Sequence, residues 1–135
     1  MSSAQHNQKL NKFGFTRVAW RAAKNEVRAI LIECAKRRRF ITYSQLAPQI
    51  VAVSVEYHDP RLNALLGQVA TEEEQRGRGL LSVLVVHKLG DMQPGPGFYK
   101  LAEWFGRKIP DMTRFWVDEF NSVFDYWQQH PNENP

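Results

Sequence analysis

Cysteine is nearly absent: Cys34 is the single thiol in 135 residues, which excludes an internal disulfide framework and a cysteine-rich zinc site. Histidine is also sparse. His6, His58, His87 and His130 stand alone and far apart, so the sequence offers no clustered ligand set for a hydrolytic zinc ion. No apolar run approaches the roughly 20 residues needed to cross a bilayer. The opening segment "MSSAQHNQKLNKFGF" is too polar for a secretory signal. The turn "GDMQPGPG" lacks the Lys-Ser/Thr pair that completes a phosphate-cradling loop. A nuclease centre that sets an acid and a lysine two residues apart on a strand fails too, because "VVHK" has Val86 in the carboxylate's place. A cytoplasmic protein without metal, cofactor or membrane partner is expected.

What is present is the material of a core and a lopsided charge. A 43% apolar fraction with four tryptophans suits one folded domain large enough to bury its own core. The expected organisation is a flexible segment at 1–15, a globular domain at 16–130 and a flexible tail at 131–135. Residues 1–39 hold ten basic and two acidic side chains, a net of +8, against eight and twelve in residues 40–135, a net of −4. Such asymmetry gives one surface a positive field, which suits a phosphate backbone, although a solvated helix face accounts for the same charges.

Hydrophobic spacing predicts the elements. A first helix runs from Thr16 to Arg39, with Trp20, Ala23, Val27, Ile30, Leu31 and Cys34 on one stripe, Thr16 as its cap and "KRRRF" at its end. Cys34 on that stripe reads as core filler, not as a nucleophile. Phe40 to Tyr43 favour extended structure and lead into a short helix. Thr42 and Gln45 have capping-box spacing, while Pro48 argues for Ser44 as the cap. "IVAVSVEYH" reads as loop or a short extended piece. A second long helix starts at Asp59-Pro60, buries Leu62, Leu65, Leu66 and Val69 and stops at Gly77 and Gly79, with Glu72, Glu73 and Glu74 read as solvated. Leu80 to Val86 reads as a strand closed by the turn "KLGDMQPGPG". Helices at about 97–105 and 112–130 follow, the last with a stripe of Trp116, Phe120, Val123, Phe124 and Trp127. That stripe is first a core or docking face, and less readily a platform for stacking bases.

A Ser-His-Asp set can be written from Ser82, His87 and Asp91, but Ser82 lacks the sharp turn a nucleophile needs. No catalytic residue is assigned. The order helix, "ITYSQLA", helix, strand and turn matches a winged helix better, except that the helix meant for the groove carries three glutamates. "ITYSQLA", then "RLNALLGQVA", then a strand, a turn and "GF" resemble, over about residues 40–105, the DNA-binding domain of the alkyltransferase-like proteins and O6-alkylguanine-DNA alkyltransferases. The resemblance implies that Tyr43 works on a nucleotide being flipped and that Arg61 lies near the arginine holding the stack open. The family's "PCHR" or "PWHR" motif should fall at "SVLVVHK", where only His87 has a counterpart and Lys88 replaces arginine. With no cysteine there, alkyl transfer is excluded. "YSQLA", "LLSVLVVHK" and "PGPGF" also resemble a bacterial domain type to which no activity is attached.

The expected fold is therefore α+β: mostly helical, with a small antiparallel β element, winged-helix-like. The expected function is non-enzymatic binding of nucleic acid, double-stranded DNA first, through the basic first-helix surface. Arg37, Arg38 and Arg39 would contact phosphates, joined by Arg61, Tyr43 and Lys88. Two alternatives stand beside it. One is a protein-interaction module or homodimer built on the aromatic C-terminal helix. The other is an enzyme with a site around His87.

Overall fold

The computed structural model describes residues 9–88 and 93–135. The predicted turn therefore falls partly outside the described residues, at 89–92, and so do Asp91 and His6. Among the described residues, five α-helices and two short strands make a mostly helical α+β fold: α1 Arg17–Lys36, β1 Ile41–Thr42, α2 Tyr43–Leu46, α3 Pro60–Gln75, β2 Val85–Val86, α4 Pro96–Trp104 and α5 Met112–Gln129. No helix among them is long and apolar enough to cross a membrane.

The long helices form where caps and spacing predict. Thr16 accepts from the Ala19 N–H and Asp59 from the Arg61 N–H, and Pro60 opens α3. The short α2 is capped by Thr42 in a full capping box with Gln45, not by Ser44. Pro48 imposes no conflict, because the chain after α2 tightens into a 3₁₀ turn, Ala47–Gln49, with the proline in its first turn. "IVAVSVEYH" is loop.

Three helices end in the same device. Behind α1, α3 and α4 the N–H of Arg39, Arg78 and Arg107 reaches back to Cys34, Glu73 and Ala102, while Arg38, Gly77 and Gly106 take positive φ. Arg38, at φ 52°, stands where glycine is usual. Hydrogen bonds from its guanidinium to Asn121, Asp125 and Gln128, and stacking over Phe124, offset that cost and tie the end of α1 to α5.

The expected strand from Leu80 to Val86 is instead a 3₁₀ turn, Leu81–Leu84, followed by the two residues of β2. It is buried throughout and packs against α1, α3 and α5. A segment enclosed on every side needs no apolar–polar alternation, so its composition cannot separate the two conformations. The β element is parallel, not antiparallel: Ile41 pairs with Val85 and Thr42 with Val86. Between the two strands the chain makes a crossover through α2 and α3, and returning strands of that kind run parallel.

Glu72, Glu73 and Glu74 are not a solvated run. Glu73 is 0% exposed and accepts from Arg28, Arg76 and Arg78. Glu72 pairs with Lys24 and Arg28, and Glu74 with Arg107. Arg107 also reaches the buried Glu119, whose carboxylate accepts the Leu80 N–H at 2.8 Å. Burying carboxylates is tolerated because each is paired and hydrogen-bonded. The ends are engaged as well. Phe13 and Phe15 stack on Trp20, and Arg78 holds Glu133 and the Asn134 carbonyl.

Candidate functional site

Parallel pairing puts the ends of β1 and β2 on one edge, and the residues that follow them are Tyr43 and His87. Their rings stack with centroids 4.8 Å apart and planes at 30°. Under them runs Gly95, whose N–H donates to the Tyr43 hydroxyl at 3.3 Å. A Cβ at Gly95 would lie 3.2 Å from His87 Nε2 and 3.3 Å from Tyr43 Oη, so glycine lets the backbone pass beneath both rings. A further bond from the His87 N–H to the Gln93 carbonyl, at 3.1 Å, holds the chain after β2 against the segment that returns to α4.

This edge opens into a cleft of about 520 Å³. One side is the start of α3 and the loop before it, with Tyr57, His58, Asn63 and Gly67. The other is the start of α4, with Pro96, Gly97, Phe98 and Leu101, and Ser82 joins the strand-end residues in the lining. A second recess of about 490 Å³ shares Tyr43, Tyr57 and His87 with it and adds Ser44 and Lys88. Aromatic rings with a few hydrogen-bonding groups, outside the carboxyl ends of parallel strands, are the usual surroundings of a bound planar ligand.

Burial pushes the Tyr43 phenol above its ordinary value, against the smaller opposing effect of the Gly95 N–H bond. The hydroxyl therefore stays protonated at neutral pH and, while accepting from Gly95, keeps its own hydrogen to donate. Ser82 is 7% exposed as a residue and lines the cleft, and its hydroxyl makes no side-chain hydrogen bond among the described residues. No group of three or more His, Cys, Asp or Glu side chains among those residues is arranged to hold a metal.

Of the residues expected to bind nucleic acid, Tyr43 and Lys88 meet at the cleft. Arg37, Arg38 and Arg39 lie before β1, beyond the opposite end of the strand pair. Arg37 bonds Glu33, Arg38 is spent on α5, and Arg39 borders a separate groove with Cys34 and Gln45 and has no acidic partner among the described residues. Arg61 fixes the start of α3. It chelates Asp59, lies over the Phe15 ring at 4.6 Å and donates to the Phe13 carbonyl. Its hydrogen bonds hold the Asp59 carboxyl below the ordinary carboxylate value. The aromatic stripe of α5 turns inward: Trp127 and Phe124 are buried, and Phe40 packs edge-on against Phe120 and Phe124.

Sequence reasoning did not single out Tyr57, His58, Asn63, Gly67 and Gly95 as site residues. In the sequence Gly95 reads only as part of the turn that closes the strand, and nothing within a few residues of it reveals the rings that lie above. No family model, curated protein or solved structure matches the chain.

Proposed function

We propose that this protein is a non-enzymatic, winged-helix-like nucleic-acid-binding module that receives one unstacked nucleotide in the cleft at the strand ends. The observation that carries the reading is the stacked Tyr43–His87 pair over Gly95, opening into an aromatic cleft beside Lys88. An aromatic cleft of this size accepts a base by stacking, worth about 1–3 kcal/mol per base. Lys88 has no acidic partner among the described residues and suits the phosphate that accompanies the base. Arg17, Arg21, Lys36 and Arg39 likewise lack acidic partners among the described residues, and they form the reserve of positive charge for the backbone on either side. The order α1, β1, α2, α3, β2 supports the winged-helix-like description, with α3 as the helix flanking the bound strand.

The test is fluorescence anisotropy on short labelled single-stranded and double-stranded oligonucleotides across a salt series. Affinity should fall steeply with salt, and Tyr43→Ala should weaken binding about tenfold or more. Replacing Lys88 and Arg39 with alanine should flatten the salt slope. No binding at low salt would contradict the reading.

A further inference from the structure

Three residues of the cleft are poorly explained by the needs of the fold. Gly67 lies in the interior of α3, where glycine is among the least favourable residues, and its backbone is ordinary helix without positive φ. A Cβ there would meet nothing within 4 Å, and the same holds at Gly97 in the first turn of α4. Neither glycine is required by a close neighbour or a special turn. Both line the cleft, on the two helices that flank it. Ser82 is the second anomaly. It stands in an otherwise apolar, buried segment, lines the cleft and makes no side-chain hydrogen bond among the described residues, so its hydroxyl is available to whatever enters the cleft.

We infer that Gly67 and Gly97 leave bare backbone as walls for a flat ring, and that Ser82 supplies a hydrogen bond to that ring's polar edge. The site is thus built for a planar heterocycle with hydrogen-bonding edge atoms, rather than for an apolar ring of the same shape. This rests on the nucleotide reading of the cleft and names what that reading leaves open: which residues measure the base. Tyr43 and His87 offer faces, which every base satisfies alike. Ser82 offers a directional contact, which only a base with a suitable edge atom satisfies.

The prediction reverses the usual link between stability and function. Gly67→Ala should raise Tm by a few degrees while weakening binding, because the methyl group that helps the helix enters the ligand's space. Ser82→Ala should leave Tm nearly unchanged, since it removes a hydroxyl that bonds no other side chain or backbone group among the described residues. The probes are short single-stranded oligonucleotides that differ at one central position: a natural base, its non-polar isostere of equal shape (difluorotoluene for thymine, for example), or an abasic sugar. The wild-type protein should prefer the best natural base to its isostere by roughly tenfold, about one buried hydrogen bond. Ser82→Ala should bring that ratio close to one, and Gly67→Ala should weaken base and isostere alike. A preference that survives in Ser82→Ala, or full affinity in a stabilised Gly67→Ala, overturns the inference while the nucleotide reading stands. Equal binding of base, isostere and abasic strands by the wild type removes the nucleotide reading and the inference with it.

Discussion

Tyr43 combines two properties that single substitutions separate: a ring face for stacking and a hydroxyl that accepts from the Gly95 backbone. Tyr43→Phe keeps the face and leaves that N–H unpaired, so it should cost about 1 kcal/mol of stability in denaturant unfolding with only a small loss of binding. Tyr43→Ala removes the face as well and should weaken binding about tenfold or more. The phenol also carries an alkaline signature. Its folded pKa is raised above the ordinary 10.0, so the unfolded chain loses that proton first. Stability should be unaffected by this group at neutral pH and fall as pH climbs past 10, a decline that Tyr43→Phe makes shallower. Arg38 is a second informative residue. Arg38→Gly relieves the left-handed backbone and Arg38→Ala does not, although both lose the contacts to α5. The alanine variant should be the less stable by about 1 kcal/mol in urea melts.

Among the elements, strand direction matters most. Antiparallel pairing would have carried His87 to the far end of β1, whereas the parallel register sets it beside Tyr43. The caps, stripes and stops of α1, α3, α4 and α5 were legible because each is written within a few neighbouring residues. Strand direction was not, since it depends on the path of the chain from Tyr43 to Leu84. The acidic run of α3 was misread for a similar reason: the partners of Glu72 and Glu73 include Lys24 and Arg28 on α1, far away in sequence. Glu73→Ala should cost roughly 3–5 kcal/mol, measured by chemical denaturation, because it strips three arginines of a buried anion. Burial alone would raise the Glu72 carboxyl, but the hydrogen bonds from Lys24 and Arg28 outweigh it and hold the group below its ordinary 4.5. Glu72 therefore contributes stability above that pH and loses it as the pH falls through the lower folded value. Glu72→Gln should flatten acid unfolding curves measured between neutral pH and about pH 3.

For the whole molecule, charge is divided between fold and surface. The excess of cations before residue 40 was visible in the sequence, but half of its meaning was internal. Lys24 and Arg28 serve the α1–α3 contact and Arg38 the α1–α5 contact, leaving Arg17, Arg21, Lys36 and Arg39 as the unpaired share of the first forty residues that is described between α1 and β1. Tyr43, His87 and Lys88 were each noticed in the sequence, and the fold brings them to one edge. Ser82, Gly67 and Gly95 gain their meaning only from what lies across the cleft. The most direct test of the account is a titration of isotopically labelled protein with a short single-stranded oligonucleotide, followed by amide NMR. The largest shifts should fall on Gly67, Ser82, Val86 to Lys88, Gly95 and Gly97, around the cleft. Shifts confined to the exposed face of α1 and the Arg37–Arg39 turn, or no shifts at low salt, would contradict it.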